Sequence, residues 1–243
     1  MKSTKSKVAI ITGGGRGIGQ EITKEFLKKN YYVYSLDRNF KSTKKIERNE
    51  KIKIDITNFK KVKIIIKNIY KKKGSINVLI NCAGITSKLE KNKLLNYWNS
   101  TINNNLTSAF MISMFAFPYL KKSNNPSIIN ITSITANLGM SNNPAYNVSK
   151  AGLTNLGYSL AMDFKKHKIR VNNICPGYIK TNMTKKSFNN KNFFKDRVNR
   201  MMIKSYGLPK DIAKAAIFLA SENSSYINAS DLVIDGGFLR KGI

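Results

Sequence analysis

The sequence predicts a single α/β domain in which one parallel sheet is covered by helices on both faces. Three observations carry this prediction. Short runs rich in Val and Ile alternate with longer stretches of helical period, several of the short runs are apolar throughout, and a run of glycines follows the first one. Strands that alternate with helices at this spacing pair in parallel, and strands that are apolar on both sides fit burial between two layers. No repeat or linker divides the 243 residues, so we predict one domain over 1–243.

The elements follow from the same periodicity. The predicted strands are Lys7–Thr12, Tyr31–Asp37, Lys51–Asp55, Asn77–Asn81, Ser127–Thr132, Lys168–Ile174 and Asp231–Asp235. The predicted helices are Gly17–Asn30, Asn58–Lys73, Leu94–Lys121, Pro144–Lys166 and Pro209–Ser221. The connection between Asp37 and Asp55 is short for a full crossover helix, which predicts a loop or a stunted helix. Residues 181–207 are polar but carry scattered Phe and Met residues, which predicts either a mobile substrate lid or a helix docked by its apolar stripe.

Composition excludes several classes of site. The formal charge is +30, but the basic residues are mostly Lys, spread over every segment with few aromatic neighbours. This distribution favours solvated lysine faces over a specific nucleic-acid site. The positive electrostatic field would still steer anionic substrates or an acidic partner towards the protein. Two Cys and one His are too few for a disulfide framework, a zinc cluster or a Cys–His nucleophile, so we expect no metal. No apolar run approaches the roughly 18 residues of a membrane span, and no signal peptide is apparent, so we expect a cytoplasmic protein.

The glycine-rich segment TGGGRGIG joins the first strand to the first helix. Glycines let the backbone turn sharply and approach a pyrophosphate closely, and the helix N-terminus then offers free N–H groups. We therefore predict a dinucleotide site that includes Gly13, Arg16, Gly17, Ile18 and Gly19.

An acidic residue, Asp37, ends the second predicted strand 18 positions beyond Gly19 and completes the dinucleotide fingerprint. Its carboxylate is placed to accept hydrogen bonds from both ribose hydroxyls of an adenosine and would repel a 2′-phosphate, which favours NAD(H). Arg16 and Arg38 argue for the alternative, NADP(H), because either guanidinium could neutralise that phosphate.

Tyr146 and Lys150 lie four residues apart near the start of a helix that Asn143 and Pro144 begin. An ammonium about 4 Å from a phenol, at an effective dielectric near 20, favours the phenolate by on the order of 4 kcal/mol, or about three pKa units. We therefore expect Lys150 to lower the pKa of Tyr146, so that Tyr146 can act as a general acid or base. Alone, this spacing is more typical of a surface pair.

Five segments in order give the chain a family resemblance: TGGGRGIG, NCAG at 81–84, INITS ending at Ser133, YNVSK at 146–150 and PGYIKT at 176–181. They resemble the short-chain dehydrogenase/reductase family, from Val8 to Gly237. The resemblance implies a Rossmann-type doubly wound sheet and NAD(P)(H)-dependent hydride transfer between a ketone and a secondary alcohol. Cys82 departs from the family, where a second asparagine is frequent, and Thr132 replaces a frequent serine.

The resemblance also implies roles for single residues. Tyr146 would exchange the proton with the substrate oxygen, Lys150 would lower its pKa and bind the nicotinamide ribose, Ser133 would hydrogen-bond the carbonyl, and Asn105 would hold a water in the proton relay. The adenine would contact Asp55 and Ile56. The cleft would be lined by Asn81, Ala83 and Gly84, and the nicotinamide loop would contain Pro176, Gly177, Ile179 and Thr181.

The family further implies a homotetramer or a dimer through the helices Leu94–Lys121 and Pro144–Lys166. Gly152 and Gly157 would either let helices of two subunits approach closely or pack inside one chain.

The substrate stays open between a small molecule and an acyl thioester. The ending from PGYIKTNMTKK through LASENSSYI to VIDGGF is similar to 3-oxoacyl-[acyl-carrier-protein] reductases, and a basic surface suits an acidic acyl-carrier protein. Asp37 and the short connection after it instead resemble NAD-dependent dehydrogenases of small cyclic diols of the dihydro-dihydroxybenzoate type. A third alternative, from another class, is a catalytically idle nucleotide sensor on the same fold. The joint presence of Ser133, Tyr146 and Lys150 argues against a sensor.

Overall fold

The computed structural model describes residues 6–40, 42, 44–86, 89 and 91–241. In this part of the chain, seven strands form the central sheet. The strands are β1 Val8–Thr12, β2 Tyr32–Asp37, β3 Asn49–Lys53, β4 Val78–Asn81, β5 Ser127–Ile131, β6 Arg170–Pro176 and β7 Asp231–Ile234. They pair in parallel in the order β3-β2-β1-β4-β5-β6-β7. Residues 1–5, 242 and 243 of the predicted domain lie outside the described residues.

Helices cover both faces of this sheet. They are α1 Gly17–Lys28, α2 Phe59–Lys73, α3 Leu94–Ile102, α4 Ser108–Leu120, α5 Pro144–Phe164, α6 Lys185–Asn189, α7 Lys191–Asn199 and α8 Pro209–Ala220. Successive strand residues point to opposite faces, so Ile11 of β1 packs in the core under α1 and α8, whereas Ile10 packs under α2, α4 and α5. Both are fully buried, and each such side chain contributes about 1.5–3 kcal/mol. The predicted doubly covered parallel sheet is confirmed.

The predicted single helix Leu94–Lys121 is wrong in one respect, because a π turn at Asn103–Thr107 separates α3 from α4. The Ser108 amide donates to the Asn103 carbonyl five residues back, where an α-helix would pair residues four apart. The extra residue turns Asn104 and Asn105 inward, and both are buried.

Among the described residues, no helix has the length and apolar character to cross a membrane.

The two irregular segments resolve differently. The described residues between Asp37 and β3 contain no helix, as the short spacing predicts. Residues 181–207 contain the short helices α6 and α7, and their apolar side chains pack on the body beside Tyr206 and Phe238. The segment is thus docked in this structure, and its movement as a substrate lid stays a prediction.

A row of polar side chains crosses the sheet inside the α4–α5 layer. Asn81, Asn130, Asn173 and Asp231 are register partners on β4, β5, β6 and β7, and we call them the asparagine ladder. Each amide nitrogen donates to the next side-chain oxygen, at 2.9, 3.0 and 2.8 Å. Because buried amides are costly without partners, this ladder ties the four strands in one register. A Cβ on Gly157 of α5 would lie 2.4 Å from the Asn173 side-chain oxygen, so Gly157 packs inside the chain.

Candidate functional site

A cavity of about 590 Å³ opens at the carboxyl ends of the strands, where the strand order reverses between β1 and β4. Open parallel sheets bind ligands at this point, because the loops on either side diverge. Most of the predicted site residues line it, namely Gly13, Arg16, Gly17, Ile18, Gly19, Asp37, Arg38, Ile56, Ala83, Gly84, Ser133, Tyr146, Lys150, Pro176, Gly177, Ile179 and Thr181. Strand ends thus gather residues that are distant in sequence.

The glycine turn after β1 fits a pyrophosphate. Gly13 has φ +69°, and a Cβ there would lie 2.9 Å from the Ala83 Cα. A Cβ on Gly19 would lie 2.2 Å from the Gly13 carbonyl oxygen. The Arg16 side chain does not cap α1, so the first N–H groups of that helix remain available for an anion. A cradle that tolerates no side chain and ends on a helix N-terminus suits a dinucleotide phosphate.

The end of the cavity beside β2 holds Asp37. Its two carboxylate oxygens accept hydrogen bonds from the Gly15 amide at 2.9 Å and the Asn39 amide at 3.1 Å. The neighbouring Arg38 does not pair with Asp37. Its Nε lies 3.4 Å from Asp55 Oδ2, and its Nη2 donates to Asn104 Oδ1.

Two predicted cofactor contacts, Asp55 and Asn81, lie outside the lining of the main cavity, and their contacts with the cofactor stay predictions. The Asp55 carboxylate accepts hydrogen bonds from Thr57 and faces Arg38. Asn81 does not reach the cavity, because its amide points into the α4–α5 layer and donates to Ser113 and Asn130. Asn81 therefore supports the strand that leads to Ala83 and Gly84.

The other end of the cavity is formed by Ser133, Tyr146 and Lys150. Ser133 follows β5, and its Oγ accepts the Thr135 amide at 3.1 Å, which leaves its own proton to donate toward the Tyr146 side chain. Lys150 is 4% exposed, and its Nζ donates to the Ile131 carbonyl at 2.7 Å. The same Nζ lies 5.7 Å from the centre of the Tyr146 ring.

Burial controls the protonation of this group of residues. Desolvation lowers the pKa of Lys150 to about 8. It raises the pKa of Tyr146, although the Ser133 hydroxyl acts in the opposite direction. The expected lowering of the Tyr146 pKa by Lys150 is therefore wrong for this arrangement, because the ammonium is directed at the Ile131 carbonyl and desolvation of the phenolate dominates. The phenol is held in its proton-donating form.

Asn105 lies behind the cavity surface. It is 1% exposed, and its amide group bonds both backbone groups of Ile85, at 2.8 and 2.9 Å, and the Ser149 hydroxyl at 3.0 Å. It thus joins the loop after β4 to α5, beside the Lys150 turn. A direct role for Asn105 in a proton relay stays a prediction.

Several cavity residues escaped the sequence analysis. They are Leu36, Asn39, Ile54, Cys82, Ile85, Thr86, Asn104, Ile131, Thr132, Asn182, Met183 and Thr184. The last three directly follow the PGYIKT segment, so continuing that loop would have included them. For Asn104 the sequence offers only its place in the run of three asparagines that ends at Asn105, because a regular helix with Asn105 facing the site turns its neighbour about 100° away.

Comparison with known proteins identifies the family. A family model described as Enoyl-(Acyl carrier protein) reductase matches residues 13–239. The 3-oxoacyl-[acyl-carrier-protein] reductase of Chlamydia pneumoniae is 34% identical over 240 residues, which cover 95% of this chain and 96% of that protein. The chain belongs to the short-chain dehydrogenase/reductase family. The same enzyme of Buchnera aphidicola subsp. Baizongia pistaciae is 35% identical to this short-chain dehydrogenase/reductase over 98% of both chains.

Solved structures of similar fold bind either nicotinamide dinucleotide. The ligand-free aldohexose dehydrogenase of Thermoplasma acidophilum is 32% identical, with a TM-score of 0.90 over 98% of this chain and 96% of its own. A 4-hydroxyisoleucine dehydrogenase complexed with NADH is 30% identical, with a TM-score of 0.91 over 98% and 100%. ElxO with NADP bound is 32% identical, with a TM-score of 0.88 over 97% and 100%. This short-chain dehydrogenase/reductase is an oxidoreductase whose cofactor is NAD(H) or NADP(H).

Proposed function

We propose that this oxidoreductase uses NADH to reduce the ketone of a 3-oxoacyl thioester to a secondary alcohol. One observation carries the proposal. Ser133, Tyr146 and Lys150 converge at one end of a cavity whose other end presents a glycine cradle and the carboxylate of Asp37. One continuous cleft thus contains both the groups for binding a dinucleotide and the groups for transferring a proton.

Ser133, Tyr146 and Lys150 would have separate roles in this reduction. When bound, the dinucleotide would supply the hydride that the substrate carbonyl carbon accepts. Ser133 would donate a hydrogen bond to the substrate oxygen, because its Oγ already accepts from Thr135. Tyr146 would deliver the proton, and burial keeps that phenol protonated. Lys150 would hold its positive charge close to Ser133 and Tyr146 and would contact the nicotinamide ribose.

The preference for NAD(H) rests on Asp37. Two backbone amides fix its carboxylate at the adenosine end of the cleft, where ribose hydroxyls would donate to it and a 2′-phosphate would be repelled. Related structures hold NADH in one case and NADP in another, so the fold admits both and local charge decides.

The substrate class rests on the relatives and on charge. The relatives named 3-oxoacyl-[acyl-carrier-protein] reductase match nearly the whole chain, and a formal charge of +30 would attract an acidic carrier protein. Asp37 and the short connection before β3 support a second candidate, an NAD-dependent dehydrogenase of a small cyclic diol. The cytoplasmic location stays a prediction from the sequence.

The test compares wild type with Tyr146→Phe. We expect wild type to oxidise NADH in the presence of a 3-oxoacyl thioester mimic, and Tyr146→Phe to lose activity by at least about 100-fold, the typical contribution of a general acid. NADH should still raise the melting temperature of the variant, because the change removes only a hydroxyl. Retained activity would contradict the role of Tyr146. Turnover of cyclic diols with NAD, and none of thioesters, would favour the second candidate, whereas binding without turnover of either would indicate a sensor.

A further inference from the structure

Arg38 occupies an unusual place beside the proposed NAD(H) site. It follows Asp37 directly, yet its guanidinium spans the adenosine end of the cleft instead of turning back to that carboxylate. One side meets Asp55 on the β3–α2 connection, with Nε 3.4 Å from Oδ2, and the other donates to Asn104 in the π turn. The guanidinium therefore bridges two segments far apart in sequence.

Both partners are themselves fixed. Asp55 Oδ1 accepts the Thr57 amide at 2.9 Å and the Thr57 hydroxyl at 2.8 Å, which leaves Oδ2 for Arg38. Burial alone would raise the pKa of Asp55, but the bonds from Thr57 and the charge of Arg38 lower it, so the carboxylate stays ionised. Asn104 is 8% exposed and donates its amide N–H to the Ser100 carbonyl at 2.9 Å, which aims its oxygen at Arg38.

The consequence concerns the 2′ position of the adenosine ribose. A 2′-phosphate is recognised by an arginine that can offer two parallel donors. Arg38 already directs Nε at Asp55 and one Nη at Asn104. A phosphate beside Asp37 would therefore meet a fixed negative charge, and Arg38 could turn its Nε–Nη2 fork to that phosphate only by leaving Asp55 and Asn104.

We propose that Asp55 and Asn104 are specificity-determining residues, which hold Arg38 across the adenosine slot and so set the preference for NAD(H) over NADP(H). The proposal rests on the proposed NAD(H) use of the same site. Neither residue touches the reacting atoms, and both act by positioning Arg38.

The experiment measures dissociation constants of NADH and NADPH for the full chain by fluorescence titration and compares their ratio, NADPH over NADH. Asn104→Leu removes one charge-assisted hydrogen bond and frees Arg38, so the ratio should fall roughly tenfold. Asn104→Asp offers a carboxylate and should raise it. Asp55→Asn keeps an acceptor for Thr57 but weakens the hold on Arg38, and it should lower the ratio without altering the π turn.

The control is Asn103→Leu, a change of the same type at an exposed neighbour in the π turn, which should leave the ratio as in wild type. Arg16 is common to all variants, so its contribution cancels. A variant that merely damages the fold would weaken both dinucleotides together. An unchanged ratio in Asn104→Asp and Asp55→Asn would overturn this inference alone. A wild-type chain that prefers NADPH would overturn the proposed cofactor and the inference with it.

Discussion

At the scale of single residues, the site depends on what burial does to charge. Lys150 is the one cation among its three proposed catalytic residues, and it is almost fully enclosed. Its carbonyl partner, Ile131, compensates only part of the lost hydration, which is why the pKa of Lys150 falls to about 8. The chain keeps an ammonium where stability alone would favour an apolar side chain, as expected for a functional group.

This shift predicts a pH dependence of stability in the absence of nucleotide. The folded pKa of Lys150 is about 8 against 10.5 for an exposed lysine, so the unfolded chain binds more protons between these values and stability rises with pH. Relative to Lys150→Met, wild type should gain about 2 to 3 kcal/mol in free energy of unfolding between about pH 7 and about pH 10. Urea unfolding at both pH values measures this.

The matched control is Lys166→Met, at an exposed position just after the same helix, which should show no such gain. If the free energy of unfolding changes with pH in the same way in wild type and in Lys150→Met, the low pKa of Lys150 is contradicted.

At the scale of elements, α5 carries Tyr146 and Lys150 and must lie close to the sheet. Two features bring it there: Asn173 of the asparagine ladder donates to the Thr154 carbonyl at 3.1 Å, and Gly157 faces Asn173 without a side chain. Helical period alone could place α5 on the sheet but not at this distance.

Gly157→Ala should therefore destabilise the protein. The added Cβ meets a hydrogen-bonded amide at 2.4 Å, and overpacking of this kind costs about 1–3 kcal/mol, more than the roughly 1 kcal/mol that alanine adds to helix propensity. The control is Gly152→Ala in the same helix, whose Cβ meets only the flexible end of Leu106 at 2.8 Å. Chemical denaturation should give Gly157→Ala a lower free energy of unfolding than Gly152→Ala. The reverse order would argue against tight packing at the asparagine ladder.

At the scale of the whole molecule, the outer faces of α3, α4 and α5 expose large apolar side chains. They are Leu94, Leu95, Trp98, Phe110, Met114, Val148 and Met162. Helix α4 contains no charged residue, although only its inner side faces the core. A helix that is apolar all round needs cover on both sides. We propose that this face pairs with further copies of the chain in a homotetramer or a dimer.

Sedimentation velocity tests the assembly. Wild type should sediment as a dimer or tetramer, and the double change Phe110→Lys with Met114→Lys should shift it to monomers, because four buried charges per pair of helices would oppose association. Ile64→Lys, at an exposed apolar position on α2, should leave the assembly intact. A monomeric wild type would contradict the proposal.

The sequence alone determined the order of the strands and of most helices, because apolar periodicity and glycine turns are local properties of the chain. It also indicated most residues that line the cleft, since Gly13, Ser133 and Gly177 all follow strands, and the ends of parallel strands meet at one edge. Only the tertiary structure decided the rest. The π turn at Asn104, the bridge from Arg38 to Asp55 and the raised pKa of Tyr146 all depend on contacts between distant segments and on burial, which no local pattern records.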